Sequence, residues 1–149
     1  MDNVAFFNPL NTAQQDDLQQ TTTNMDQCLL STTSDGVMKY HTLSGCLKSQ
    51  GSKTKVPKLC KDVDADACRR QPTTYASKKY SFLDLPYQTA VGLAKDGHII
   101  VGPYNKDGEL WSCEQHDVCN GVFLADNSYA YATTYTFPYV VGCWGPGPI

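Results

Sequence analysis

The chain has 149 residues, 41% of them hydrophobic and 18% charged, with a formal net charge of −3. That length can bury the core of one domain, and the charge balance excludes a polycation built for nucleic acid or anionic lipid. No apolar run approaches the ~18 residues of a membrane-spanning helix, so no transmembrane segment is expected.

Val4 to Phe7 reads as a short apolar strand ended by Asn8-Pro9, because proline cannot donate to a sheet ladder. Thr12 to Asn24 is almost devoid of apolar residues, and reads either as one polar helical turn capped by Thr12 or as a surface loop. Asp35-Gly36 makes a turn and Val37 to Leu43 a strand. Residues 49–57 are rich in Lys, Ser and Gly and read as a mobile loop, followed by a short helix within Asp62 to Arg70. The basic run at Lys53, Lys55, Lys58 and Lys61 is interrupted by Asp62, Asp64 and Asp66, and reads as a solvated loop. Pro86 to Ala94 is expected as a short helix or strand, and Ile99 to Val101 as a strand ended by Gly102-Pro103. After a turn at Asp126-Asn127, Tyr129, Tyr131, Thr133, Tyr135, Phe137 and Tyr139 alternate with Ala130, Ala132, Thr134 and Thr136. That period of two predicts a strand with one aromatic face and one small face.

One pattern occurs twice. Asp26, Cys28, Asp35, Tyr40 and Thr42 recur 91 residues later as Asp117, Cys119, Asp126, Tyr131 and Thr133. The preceding strands repeat at an offset of 94, with Asp2, Pro9 and Asn11 matching Asp96, Pro103 and Asn105. The expectation is one domain over residues 1–149, with repeat 1 at 2–46, an intervening region at 47–95, repeat 2 at 96–144 and a tail at 145–149. The fold class that follows is mainly β with little helix: a compact, disulfide-stapled sandwich or barrel-like domain of two pseudo-symmetric repeats.

Seven cysteines with no Cys-x-x-Cys pair and no zinc-finger spacing read as a disulfide framework. The duplication pairs Cys28 with Cys46 and Cys119 with Cys143, and places Cys60 with Cys68 between them, leaving Cys113 unpaired. Spacing alone does not fix connectivity. The N-terminus lacks a basic start, greasy middle and small-residue cleavage site, so the sequence is expected either to be cytosolic or to start after a removed leader. The cysteines favour the second, an extracellular or secretory-pathway location.

Asp96-Gly97-His98-Ile99-Ile100-Val101-Gly102-Pro103-Tyr104, Asp117-Val118-Cys119-Asn120-Gly121, Tyr129-Ala130-Tyr131-Ala132 and Phe137-Pro138-Tyr139-Val140-Val141-Gly142-Cys143 together resemble the core of YHYH-domain proteins. In copy one, Met38-Lys39-Tyr40-His41 takes the signature place. The resemblance implies a compact β-rich, disulfide-bearing domain, secreted or envelope-associated, with no assigned reaction. The chain departs from it at the signature histidines: Ala130 and Ala132 replace both in copy two, and only His41 remains in copy one.

Three functional readings follow. The preferred one is a secreted structural or interaction protein, a subunit of a surface layer, fibre or other homo-oligomeric assembly, with extracellular protein or glycan partners. Its expected contacts are Val4 to Phe7, the even face of Tyr129 to Thr136, and an aromatic interface of Tyr129, Tyr131, Tyr135, Phe137, Tyr139, Trp111 and Trp144. The second is a metal-binding protein, enzymatic or not, whose site combines His41 and His116 with Asp26 and Asp117, since imidazole and carboxylate suit zinc or copper. The third is a carbohydrate-binding module on the tyrosine- and tryptophan-rich strand. The repeated aspartates also have a plainer role, accepting backbone N–H bonds in turns. No catalytic residue or cofactor is required by the sequence, and the Asp62, Asp64, Asp66 series lacks the glycine and glutamate of a calcium loop.

Overall fold

The structure is a computed structural model, and it describes residues 4–6, 9–16, 18, 25–44, 60–62, 66–71, 74–75 and 88–146. The loop expected at 49–57 and the Cys46 end of the first expected staple lie outside the described residues. The chain divides into two compact units, Met1–Phe82 and Leu83–Ile149. The described structure is mainly β, with short strands and little helix.

Unit 1 holds β1 (Ala5–Phe6), β2 (Leu30–Thr32) and β3 (Met38–Tyr40) in the order β1-β3-β2. β1 runs parallel to β3, with Phe6 opposite Tyr40, and their rings meet at 6.1 Å. β2 and β3 form an antiparallel hairpin with Leu30, Ser31 and Thr32 opposite Tyr40, Lys39 and Met38. Its loop closes as expected at Asp35-Gly36, where Gly36 takes a φ of 82° that glycine adopts without a Cβ penalty. A 3-10 turn (Cys60–Asp62) and a five-residue helix, α1 (Asp66–Arg70), also belong to the unit. The Cys60–Cys68 disulfide joins them, and both cysteines are buried.

Unit 2 contains β4 (Ala90–Leu93), β5 (Ile99–Val101), β6 (Gly121–Phe123) and β7 (Tyr129–Ala132), ordered β4-β5-β7-β6. Its last three strands repeat the pairing of unit 1. β5 is parallel to β7 with Ile100 opposite Tyr131, and β6 is antiparallel to β7 with Gly121, Val122 and Phe123 opposite Tyr131, Ala130 and Tyr129. Each antiparallel pair lies 91 residues after its unit 1 counterpart, so the spacing read from the sequence is also the spacing of the strand register. β4 is the addition, an antiparallel neighbour of β5 with a register irregularity between Ala90 and Gly92.

The local turns repeat as well. Asn11 Oδ1 accepts from the N–H groups of Ala13 and Gln15, and Asn105 Oδ1 from those of Asp107 and Glu109. Residues 12–15 are turn and bend, so the start of the polar segment takes the loop form of the two expected.

The even face of β7 is buried. Ala130 and Ala132 join Val101 and Val122 in an apolar cluster, with Trp111 and Leu124 packed against it. Trp111 enters ring first because its Nε1–H reaches the carbonyl of Gly102 at 3.1 Å. The expected contact face of Tyr129 to Thr136 is therefore corrected: from 130 to 134 its small residues fill the unit's own interior. The strand is also shorter than its alternation predicts. It stops at Ala132, where Thr133 donates its N–H and hydroxyl to the carbonyl of Val101. Residues 134–139 then fold back, with Thr134 N–H donating to Tyr139 O and Tyr139 N–H to Thr136 O. Pro138, which has no N–H, could not have carried the ladder onward. Within Val4 to Phe7 the described strand, Ala5–Phe6, pairs one edge with β3 and lies at the border of its sheet.

Candidate functional site

The repeated aspartates do the same work in both units. Asp26 Oδ1 accepts from the N–H groups of Cys28 (2.8 Å) and Leu30 (3.0 Å), while its own N–H donates to Leu30 O. Asp117 Oδ1 accepts from Cys119 (2.8 Å) and Gly121 (2.7 Å), and its N–H donates to Gly121 O. Each aspartate thus satisfies the first residue of the hairpin strand that follows, Leu30 of β2 or Gly121 of β6. This keeps an edge that could template another strand partly closed. Burial raises the carboxyl pKa of Asp26, against the opposing pull of the Leu30 and Cys28 N–H groups.

The turns also need unusual backbone. Leu29 and Asn120 both sit at positive φ, 60° and 66°. Asn120 is fully buried, and its Nδ2 donates to Thr134 Oγ1 at 2.8 Å and to the Ala132 carbonyl at 3.3 Å. This Asn120 bracket was not foreseen, although asparagine directly before the strand glycine was its available signal.

Beyond Asp117 lies a cluster on the odd face of β7. Tyr129 donates its hydroxyl to Asp117 Oδ2 at 2.7 Å, and Tyr131 donates to Asp96 Oδ2 at 2.5 Å. The Gly145 N–H donates to the Tyr131 hydroxyl at 2.7 Å. His98 stands edge-on to both rings, at 5.1 Å from Tyr129 and 5.9 Å from Tyr131. Its Nδ1 lies 3.1 Å from Asp96 Oδ2, an ion-pair distance without hydrogen-bond alignment. Burial raises the phenol pKa of Tyr129 and Tyr131, and the bonds to Asp117 and Asp96 raise them further. Both phenols therefore stay protonated donors at ordinary pH. Burial pushes the Asp96 carboxyl up, but the hydrogen bonds from the Tyr131 hydroxyl and the His98 backbone N–H, with the nearby His98 ring, outweigh it, so its pKa falls below the usual value.

Tyr129 fits because two backbones have no side chain. A Cβ on Gly121 or on Gly145 would fall under 3.0 Å from the phenol end of the ring, Gly121 on its Cε2 side and Gly145 on its Cε1 side. In unit 1 the positions of Gly121 and Tyr129 are held by Leu30 and Met38. Asp96, His98, Gly121 and Gly145 were not among the sequence-derived site residues. The signal was present in the glycine-for-leucine difference between the two repeats.

The expected metal ligands stand as follows. His41 is buried in unit 1, with Nε2 at 2.6 Å from Ser31 Oγ. Burial holds its pKa down to about 4, so the imidazole is neutral at pH 7. His116, in unit 2, donates from Nδ1 to the carbonyl of Asp117 at 3.2 Å. Among the described residues no three His, Cys, Asp or Glu side chains are grouped so as to hold a metal ion. The counterparts of Ser31, Lys39 and His41 in unit 2 are Val122, Ala130 and Ala132, so the two repeats fill one pattern with opposite polarity.

The expected aromatic interface is divided. Tyr131 and Tyr139 are buried, Tyr129, Tyr135 and Trp111 are half-buried, and only Phe137 and Trp144 are exposed. The Cys119–Cys143 and Cys60–Cys68 disulfides are present, Cys28 is disulfide-bonded, and Cys113 is an exposed free thiol. No helix among the described residues is long and apolar enough to cross a membrane.

No protein-family model, curated protein or solved structure matches the chain.

Proposed function

We propose that this chain is a disulfide-stapled structural or interaction protein that works outside the cytosol by associating with itself, and that it is a divergent relative of YHYH-domain proteins. One observation carries the reading. The repeated aspartates, Asp96 and His41 are engaged with the fold's own groups, while several large apolar side chains face solvent. Asp26 and Asp117 close turns, Asp96 holds Tyr131, and His41 is buried against Ser31. Leu93, Val118, Phe123 and Trp144 meanwhile expose most of their surface. Large apolar side chains left in water are available to a contact surface. The disulfides are compatible with an oxidising compartment, where such bonds persist.

Light scattering across a concentration series tests the reading on the intact, oxidised chain. Molar mass rising with concentration is expected. A constant monomer mass up to about millimolar concentration, the range of the weakest specific association, would refute it.

A further inference from the structure

Three side chains that can ligate a metal converge just before β5. Asp96 Oδ2 lies 3.1 Å from His98 Nδ1 and 2.5 Å from Tyr131 Oη. The imidazole nitrogen is buried and has no hydrogen-bond partner, although a carboxylate oxygen faces it. Approach without bonding alignment is how ligands stand around a shared cation. Donor atoms bound to a metal at about 2.0–2.2 Å are held about 3 Å apart, so a small opening on the phenol side admits an ion. The Gly145 N–H bonds Tyr131 Oη from outside, the kind of outer contact that fixes a ligand's direction.

Charge and the repeat point the same way. Asp117, bonded to the neighbouring Tyr129, brings a second carboxylate to this face. Among the described residues neither Asp96 nor Asp117 has a Lys or Arg within ion-pair distance. At the offset of 94 the unit 1 counterpart of His98 is Val4, so strand pairing does not require an imidazole there. The side chains of His98 and Asp96 keep 17% and 19% exposure, which leaves an entry path and room for water as a further ligand. Histidine and aspartate supply only two of the protein ligands; the third is a phenol. We infer that Asp96, His98 and Tyr131 form a ferric ion site in unit 2. Carboxylate and phenolate are hard anionic oxygens, and imidazole also suits iron. The ion replaces the hydroxyl proton of Tyr131, which leaves to solvent, and the iron stays ferric throughout. The two carboxylates and the new phenolate then balance the three charges of the ion.

The site is independent of self-association, because a monomer can fill it. The test titrates the full oxidised chain, purified without an affinity tag, with ferric nitrilotriacetate. A saturable phenolate-to-iron charge-transfer band in the visible is expected, at one ion per chain. Tyr131→Phe should abolish the band, whereas Tyr129→Phe should keep it. Asp96→Asn keeps an acceptor for the Tyr131 hydroxyl and His98→Gln removes only the imidazole. Each should weaken binding by at least the roughly 10–100-fold that loss of an outer partner costs. The wild-type titration decides without any variant having to fold: no saturable uptake, or uptake without the band, would overturn the site. So would a band that survives in Tyr131→Phe, or unchanged affinity in His98→Gln.

Discussion

Replacing Gly121 by alanine makes a sharp test of how unit 2 is held together. Gly121 does not take a positive φ, so alanine is acceptable to the backbone and the effect must come from space. The new Cβ would overlap the phenol end of Tyr129, at a separation real Cβ atoms do not show. The ring must leave, because Gly145 closes its other side. Leaving forfeits the hydroxyl bond to Asp117 and the edge contacts to His98, Phe123 and Tyr131. A hydrogen bond to a charged group contributes roughly 1.5–3 kcal/mol and each aromatic contact about 0.5–1.5, less at partly exposed positions, so a total near 3 kcal/mol is reasonable. The assay is a double-mutant cycle by urea unfolding, with Gly121→Ala made in the wild-type chain and in Tyr129→Ala. Once the ring is gone, alanine at 121 should cost little, so coupling of about 2 kcal/mol or more is expected. Additive effects within about 0.5 kcal/mol would show that the ring and the glycine do not meet, and the packing argument would fail.

Two further outcomes follow from other sites. His41 is protonated in the unfolded chain near pH 6.5 but in the fold only near pH 4, so its contribution is complete above about pH 6.5 and is lost as pH falls toward 4. That shift corresponds to roughly 3 kcal/mol, and His41→Gln should remove it from the pH profile of the urea midpoint. Asp26, whose carboxyl pKa is raised, gains stability as pH falls, so an unchanged slope in His41→Gln would point away from the imidazole. Asp117→Ala gives up the bonds from Cys119, Gly121 and Tyr129, and should cost about 2–3 kcal/mol by urea unfolding. Asp117→Asn keeps an oxygen for the backbone and should cost less; equal losses would mean the turn does not need the acceptor.

What could be read without coordinates was whatever depends on nearby residues. The Asp-x-Cys turns are of this kind: Asp26 and Asp117 each bond to the second and fourth residues after them. Glycine at 36 and asparagine at 127 announced their turns for the same local reason, positive φ. The apolar run Ile99 to Val101 was recognisable as a strand, and is one.

Tertiary structure decided the rest. Alternation separated two faces over Tyr129–Ala132, but it says nothing about which face is covered or where the strand ends. The small face went inward because Val101 and Val122, distant in sequence, were there to receive it. The strand ended at Ala132 because residues 134–139 found hydrogen bonds to one another in place of a ladder. Asp96 and Tyr131 lie 35 positions apart and meet only once β5 and β7 pair in parallel. Burial, not composition, made the His41 imidazole neutral and its Ser31 bond internal. Local rules act through the few residues a turn can reach, whereas side-chain coverage depends on which distant strand arrives beside them.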